Sequence, residues 1–202
     1  ISHLSKAGHT SEIFDTTQYI NWFGEDNDKK KTENLSARTY DDDLIRKGDK
    51  HTSPIDDFRE LVSNFSPDLI ALSLTEDMYE NGLRFLQSID TKDRPKVVAG
   101  GVFPTFAPEL VLRASKGLID YVLIGEGENS LPQLCESLEG KKSIKKVEGI
   151  WFLKNNDGVH KSPAPRLLDI NENPLLPNFD LFDQSRFYRP MVGKVWRMFP
   201  IE

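Results

Sequence analysis

Two hydroxyls, two glycines and a glycine–acid alternation stand where this chain could meet a ligand. Ser73-Leu74-Thr75 closes an apolar run, so its hydroxyls can reach a polar group beyond the end of a strand. Thr75 can equally cap the helix that follows. Gly100-Gly101 closes a second apolar run. Two residues without a Cβ admit a ligand or another backbone closely, or make a tight strand-to-helix turn. Gly125-Glu126-Gly127-Glu128 closes a third. Its carboxylates repel phosphate, and it lacks the lysine of a P-loop and the spacing of a dinucleotide fingerprint. Glu126 can accept hydrogen bonds from a neutral ligand or a neighbouring domain, and Glu128 can cap a helix. No nucleophile–base pair, paired acids or metal cage is legible, so the chemistry these clusters suit is binding.

The elements that must position them alternate. Ser53-Pro54-Ile55-Asp56 opens a helix with a capping hydroxyl, a first-turn proline and acids at the positive end of the dipole. Ile55, Phe58, Leu61, Val62 and Phe65 form its apolar face, and Pro67 ends it. Leu69–Leu74, Val97–Ala99 and Tyr121–Ile124 are nearly continuous apolar runs, expected as neighbouring strands buried on both faces. Helices fall between them, over Met78–Ile89 and Thr105–Ala114, and a last one carries Leu131, Leu134, Cys135 and Leu138 on one face. Strand–helix alternation with short connections implies right-handed parallel crossovers in a doubly wound sheet. In such sheets ligands bind beyond the carboxyl ends of the strands, where all three clusters lie.

Around this repeat the pattern changes. Ile1–His9 reads as a helix already under way, closed by Gly8, with a strand expected over Thr10–Phe14. The polar stretch from about Gly24 to Thr52 reads as an inserted surface loop. Val147–Leu153 and Val159–Lys161 flank Asn155-Asn156-Asp157-Gly158 and read as a hairpin. Pro163–Asp183 reads as an extended strap, and Phe187–Glu202 mixes aromatics with Arg189, Lys194 and Arg197. Both ends read as cut from a longer chain.

The 202 residues carry 26 bases against 32 acids, a net charge of −6, which argues against a nucleic-acid partner. The single cysteine, Cys135, excludes an intrachain disulfide or a thiolate metal cage within these residues, and a cytoplasmic location is expected. No apolar run is long enough for a membrane helix, and nothing resembles a secretory signal.

The strings Asp68-Leu-Ile-Ala-Leu-Ser-Leu-Thr75, Val97-Val-Ala-Gly-Gly-Val-Phe-Pro-Thr105, Asp120-Tyr-Val-Leu-Ile-Gly-Glu-Gly-Glu128 and Gly149-Ile-Trp151, in this order, resemble the cobalamin-binding domain that precedes the catalytic domain of many radical S-adenosylmethionine enzymes. The resemblance covers about residues 4 to 183. It implies a flavodoxin-like, Rossmann-like sheet over residues 1–140 with its first strand missing, a β-hairpin appendage at 141–162, and a linker over 163–202 toward a radical S-adenosylmethionine domain. It implies cobalamin as the cofactor here, and a [4Fe-4S] cluster and S-adenosylmethionine in the partner domain. Ser73, Leu74 and Thr75 would line a slot for the corrinoid's nucleotide tail. Gly100, Gly101, Val102 and Phe103 would let the tail run along the backbone, and Gly125, Glu126, Gly127 and Glu128 would close the other side. Two departures stand out: Phe103 occupies a place where the family often has histidine, and the family's Asp-x-His-x-x-Gly string is absent. Such enzymes are methyltransferases or cyclases. The alternative is a flavodoxin-like regulatory or interaction domain that no longer binds corrinoid.

Overall fold

The computed structural model describes residues 1–19, 50–90, 92, 94–155, 157–167, 169, 171 and 178–198. They divide into an α/β unit, Ile1–Glu12 with Arg59–Pro177, and a second unit, Ile13–Phe58 with Asn178–Glu202. The polar insert lies, over residues 20–49, outside the described residues. No described helix is long and apolar enough to cross a membrane.

The α/β unit is built from α1 (Ser2–Lys6), β1 (Leu69–Ser73), α3 (Tyr79–Gln87), β2 (Lys96–Gly100), α4 (Val102–Phe106), α5 (Pro108–Ala114), β3 (Tyr121–Leu123), α6 (Gly127–Leu138), β4 (Ile150–Leu153) and β5 (Val159–Lys161). Helix α2 (Pro54–Phe65) leads into it. Its start follows the sequence logic: Asp56 N donates to Ser53 Oγ at 3.3 Å, with Pro54 in the first turn. Helix α1 ends as read, with Gly8 at φ +89° and amide bonds from Gly8 to Ser5 O and from His9 to Leu4 O.

The five strands form one sheet in the order β1-β2-β3-β4-β5. Pairs β1–β2 and β2–β3 are parallel, and β3–β4 and β4–β5 antiparallel. The parallel apolar core and the hairpin are therefore continuous, as a mixed sheet with an antiparallel edge. Asp157, in the hairpin loop, takes φ +59°. In the register, Ala71 lies beside Val98 and Val98 beside Tyr121, while Ser73 lies beside Gly100. These residues share one face, since side chains in adjacent register alternate together. On that face Val98, Leu123, Leu134, Val147 and Ile150 form a buried cluster, with Leu131 packed against it, so α6 covers β2 to β4. On the other face Leu74 and Leu72 reach Gly82 of α3.

Three expectations for residues 1–140 need correction. Residues 9–16 form no strand. Instead Thr17 donates from its amide and hydroxyl to Asp15, at 3.0 and 2.6 Å, and this local turn competes with extended pairing. Strand β1 is not buried on both faces: Ile70 is buried but Ala71 and Ser73 are exposed, because α6 covers β2 to β4 and leaves β1 open. The single helix expected over Thr105–Ala114 is two helices broken at Ala107, whose φ −132° and ψ +49° follow from the steric demand of Pro108 on the residue before it.

In the second unit, Phe187 is buried and meets Phe179 and Phe182 edge-on, with ring centroids 5.5 and 6.5 Å away. Tyr19 is buried as well, and its hydroxyl donates to Asp57 at 2.8 Å. Arg186 pairs with Asp15. Strands β6 (Tyr188–Met191) and β7 (Lys194–Arg197) make an antiparallel hairpin, where an extended linker was expected.

Candidate functional site: the carboxyl edge of the parallel strands

The structure brings the three predicted clusters to one edge, because β1, β2 and β3 are adjacent and parallel. It also separates residues that hold the edge together from residues that face outward.

Leu74 belongs to the first kind. Its side chain is buried and lies against Gly82, where an added Cβ would come 3.0 Å from Leu74 Cδ2. Its amide donates to Gly100 O at 2.9 Å, and its carbonyl accepts from Phe103 N at 3.3 Å. Gly101 is held in the same knot. It has φ +100°, and a Cβ there would lie 2.9 Å from Leu74 O. Of the two readings of Gly101, the tight strand-to-helix turn is the one the backbone requires. Phe103 packs edge-on against Tyr79, with centroids 5.4 Å apart. Tyr79 in turn donates to Val111 O at 3.1 Å, and burial raises its pKa.

The glycine–acid loop is also partly structural. Gly125 has φ +75°, and a Cβ there would lie 3.3 Å from Pro165 Cδ, so the strap crosses above it. Gly125 N donates to Thr105 Oγ1 at 3.1 Å, which fastens the loop to α4. Glu126 is the exposed residue preceding α6 and makes no side-chain cap. Glu128 turns outward: with His3, Lys6 and Gln133 it lines a cleft of about 300 Å³ between α1 and α6. Gly127 has open space where its Cβ would be.

What remains facing outward is a trough. Ala71 and Ser73 are exposed on the sheet face beside α6. Gly100 extends that floor, and its missing Cβ would meet only Leu123 O, at an ordinary 3.8 Å. Gln133 accepts from Glu148 N at 3.3 Å, which turns that flank of α6 toward β4. Leu131 and Cys135 lie about 200° round the helix from Gln133, on a different flank of α6, and Leu131 packs against the core cluster. Burial raises the Cys135 thiol pKa, so this half-buried side chain stays neutral and weakly polar. Thr75 stands exposed at the end of the trough, and α3 starts after Met78, so Thr75 is not its cap. The hydroxyls of Ser73 and Thr75 make no hydrogen bond among the described residues. A floor of small residues and two hydroxyls can receive a flat, mostly uncharged group.

The residues sequence reasoning missed are Ala71, Thr105, Leu131 and Cys135. The period-2 alternation through Ala71 and Ser73 was a usable signal, since both are the small members of an otherwise bulky strand.

The chain is similar to several known proteins. Residues 36–135 match the B12 binding domain family. The chain is 27% identical over 132 residues to an uncharacterized methyltransferase of Pyrococcus horikoshii, covering 65% of this chain and 28% of the relative. It is 29% identical to the hopanoid C-3 methylase of Methylococcus capsulatus, covering 65% and 25%. Against the anaerobic magnesium-protoporphyrin IX monomethyl ester cyclase of a Synechocystis strain it is 35% identical, covering 37% and 15%. The chain thus spans about a quarter or less of the length of these relatives. Among solved structures, the cobalamin-dependent S-adenosylmethionine radical enzyme OxsB, with aqua-cobalamin and S-adenosylmethionine bound, superposes with a TM-score of 0.50 at 21% identity, covering 60% of this chain and 18% of that one. That likeness shows a shared fold. Over residues 36–135, just under half of its length, the chain is similar to the B12 binding domain family.

Proposed function

We propose that this chain binds cobalamin, laying the nucleotide tail in the trough over Ala71, Ser73 and Gly100 and beside Leu131 and Cys135. The observation that carries the reading is the open floor at Gly100. A strand-end glycine with a non-positive φ and free space at its Cβ has no structural need to be glycine. A ligand lying on that floor supplies the need.

The residues present fit such a group. Ser73 and Thr75 offer hydroxyls to polar atoms of the tail, and Gly127 leaves the mouth of the trough open. Leu74, Gly101 and Phe103 act behind this surface, by holding the end of β1 against the start of α4. Val102 lies on the outward face of α4. Gly125 and Glu126 bound the site toward β3, while Glu128 faces away from it. Bound cobalamin would supply a cobalt centre able to carry a methyl group. The full activity would belong to a longer polypeptide whose radical S-adenosylmethionine domain holds a [4Fe-4S] cluster and S-adenosylmethionine, acting as a methyltransferase or cyclase. The single cysteine suits a reducing compartment such as the cytoplasm.

The test is reconstitution of the purified protein with hydroxocobalamin, followed by gel filtration and visible absorbance. The wild-type protein should retain stoichiometric corrinoid. Gly100→Val, whose Cβ would meet only Leu123 O at an ordinary 3.8 Å, should lose it while keeping its denaturation midpoint. A wild-type protein that elutes colourless would refute the reading and leave an interaction domain in its place.

A further inference from the structure

Strands β6 and β7 are joined by Val192-Gly193, at φ +54° and +72°, with Met191 directly opposite Lys194. Positive φ at both central residues makes this a tight hairpin turn for which Asn-Gly is the favoured pair. A β-branched residue at positive φ is strained. Val192 is also 79% exposed, so packing gives nothing back. The turn itself supplies no reason for valine.

The two faces of the hairpin differ. Side chains directly opposite each other, and those two apart along a strand, share a face. Tyr188 and Val195 lie on one face and are half-buried. The other face carries Arg189, Met191, Lys194 and Trp196, and all four are exposed. Met198 continues that face, and its amide donates to Phe187 O at 2.8 Å. Met191 and Trp196 are each 49% exposed. The indole N–H is already satisfied, donating to Met191 O at 3.3 Å, so the ring offers apolar surface. From Gln184 to Met198 the chain holds four cations and no acid, in a protein of net charge −6. Arg189 donates to the carbonyls of Arg186 and Tyr188, neutral acceptors that leave its charge uncompensated.

We infer that this hairpin is a docking element for an anionic lipid surface, entering tip first. The order of residues selects that occupant. Val192 leads, Met191 and Lys194 come next, and Arg189 and Trp196 follow. An apolar tip backed by cations and an indole matches the layers of a bilayer, where hydrocarbon lies beneath anionic headgroups and tryptophan favours the boundary. Contact with acyl chains accounts for both the strain and the exposure of Val192. The hairpin belongs to the second unit, so this docking is independent of cobalamin binding.

The test is sedimentation of the purified protein with vesicles of phosphatidylcholine alone, or of phosphatidylcholine and phosphatidylserine in equal parts. The wild type should bind the mixed vesicles at least about tenfold more tightly than the neutral ones. Lys194→Gln should weaken binding to the mixed vesicles about fivefold. Val192→Asn suits the turn, so it should raise the denaturation midpoint while weakening binding about tenfold. A merely structural valine would not move midpoint and affinity in opposite directions. Should Val192→Asn lower the midpoint, Val192→Gly, which bears no φ penalty, takes its place with the same expected loss of affinity. Wild-type protein that stays in the supernatant with mixed vesicles overturns the docking and leaves this face to a protein partner with an acidic groove. Equal binding to both kinds of vesicle, or a change below about twofold in the Val192 variant, overturns it as well.

Discussion

Leu74 occupies the place that a side chain at Gly101 would need. A Cβ on Gly101 would lie 2.9 Å from the Leu74 carbonyl oxygen and 3.0 Å from its amide nitrogen. The two residues close the end of β1 onto the start of α4, and the bonds Leu74 N to Gly100 O and Phe103 N to Leu74 O complete the knot. Gly100 and Gly101 are neighbours in sequence with opposite duties: the second shapes the backbone, and the first leaves a surface bare.

Gly101→Ala should therefore damage folding first. At φ +100° and ψ −170° the backbone is in a region nearly reserved for glycine, and the contact with rigid backbone atoms cannot be relieved by a rotamer. The expected loss is about 3 kcal/mol in urea denaturation. Gly100→Ala should cost less than about 1 kcal/mol, as its Cβ meets no close atom. Equal midpoints for the two variants would disprove this division of labour.

Thr105 should prove a fastener of the glycine–acid loop. Its hydroxyl accepts the Gly125 amide at 3.1 Å. Thr105→Val keeps the shape and leaves that amide without its protein acceptor, for a loss of about 1 kcal/mol. Thr105→Ser should restore most of it. Faster hydrogen exchange at Gly125 in the valine variant, and not in the serine variant, is the sign to look for.

Much of this was legible in the sequence for a physical reason. The apolar runs 69–74, 97–99 and 121–124 have too few polar positions to face water, so parallel pairing under helices followed, and the B12 binding domain family match agrees. Gly8 and Ser53 announced their helix ends because their roles are local. What was not legible depends on contacts far apart in the chain. Whether Gly100 or Gly101 faces a ligand turns on where Leu74 lies, some 26 residues earlier. That Gly125 serves the strap depends on Pro165. The failed strand over Thr10–Phe14 shows the same limit, since an extended run becomes a strand only with a partner, and Asp15 turns instead toward Thr17 and Arg186. The small size of Ala71 and Ser73 in a bulky strand was a local sign, but which face of β1 stays exposed depends on which strands α6 covers.

The Asp15–Arg186 pair makes the second unit acid-sensitive. Burial works to raise the Asp15 pKa, but hydrogen bonds from Thr17 and Arg186 and the guanidinium charge outweigh it, and the net shift is downward. A carboxylate with a depressed folded-state pKa stabilises above its unfolded value. That stability disappears as pH falls below about 4 and through the folded value. Asp15→Asn should therefore be less stable than the wild type at pH 7, with the gap narrowing below pH 4 (about one unit either way). Urea denaturation at several pH values measures it. A gap that widens in acid would contradict the pairing.

Gly149 tests whether the strap is held to the α/β unit by shape. Gly149 and Gly140 both have positive φ, +67° and +79°. Alanine at either pays the left-handed penalty of about 1 kcal/mol. Their surroundings differ. Gly140 closes α6 with nothing within 4 Å of a new Cβ, whereas at Gly149 that atom would lie 2.7 Å from Ile124 O and 2.9 Å from Pro165 Cδ. The amide of Gly149 also donates to Pro163 O at 2.9 Å, so the same residue anchors the strap and would expel it. Gly149→Ala should cost about 2 kcal/mol more than Gly140→Ala, because a rigid carbonyl must move. It should also free the strap, and the exposed Arg166 next to Pro165 gives a direct readout. Trypsin should cut after Arg166 several-fold faster in Gly149→Ala than in Gly140→Ala or the wild type, under conditions where all three remain folded. Equal cutting rates, with equal midpoints, would mean that Pro163–Pro165 stays in place without the glycine and that the strap is fixed elsewhere.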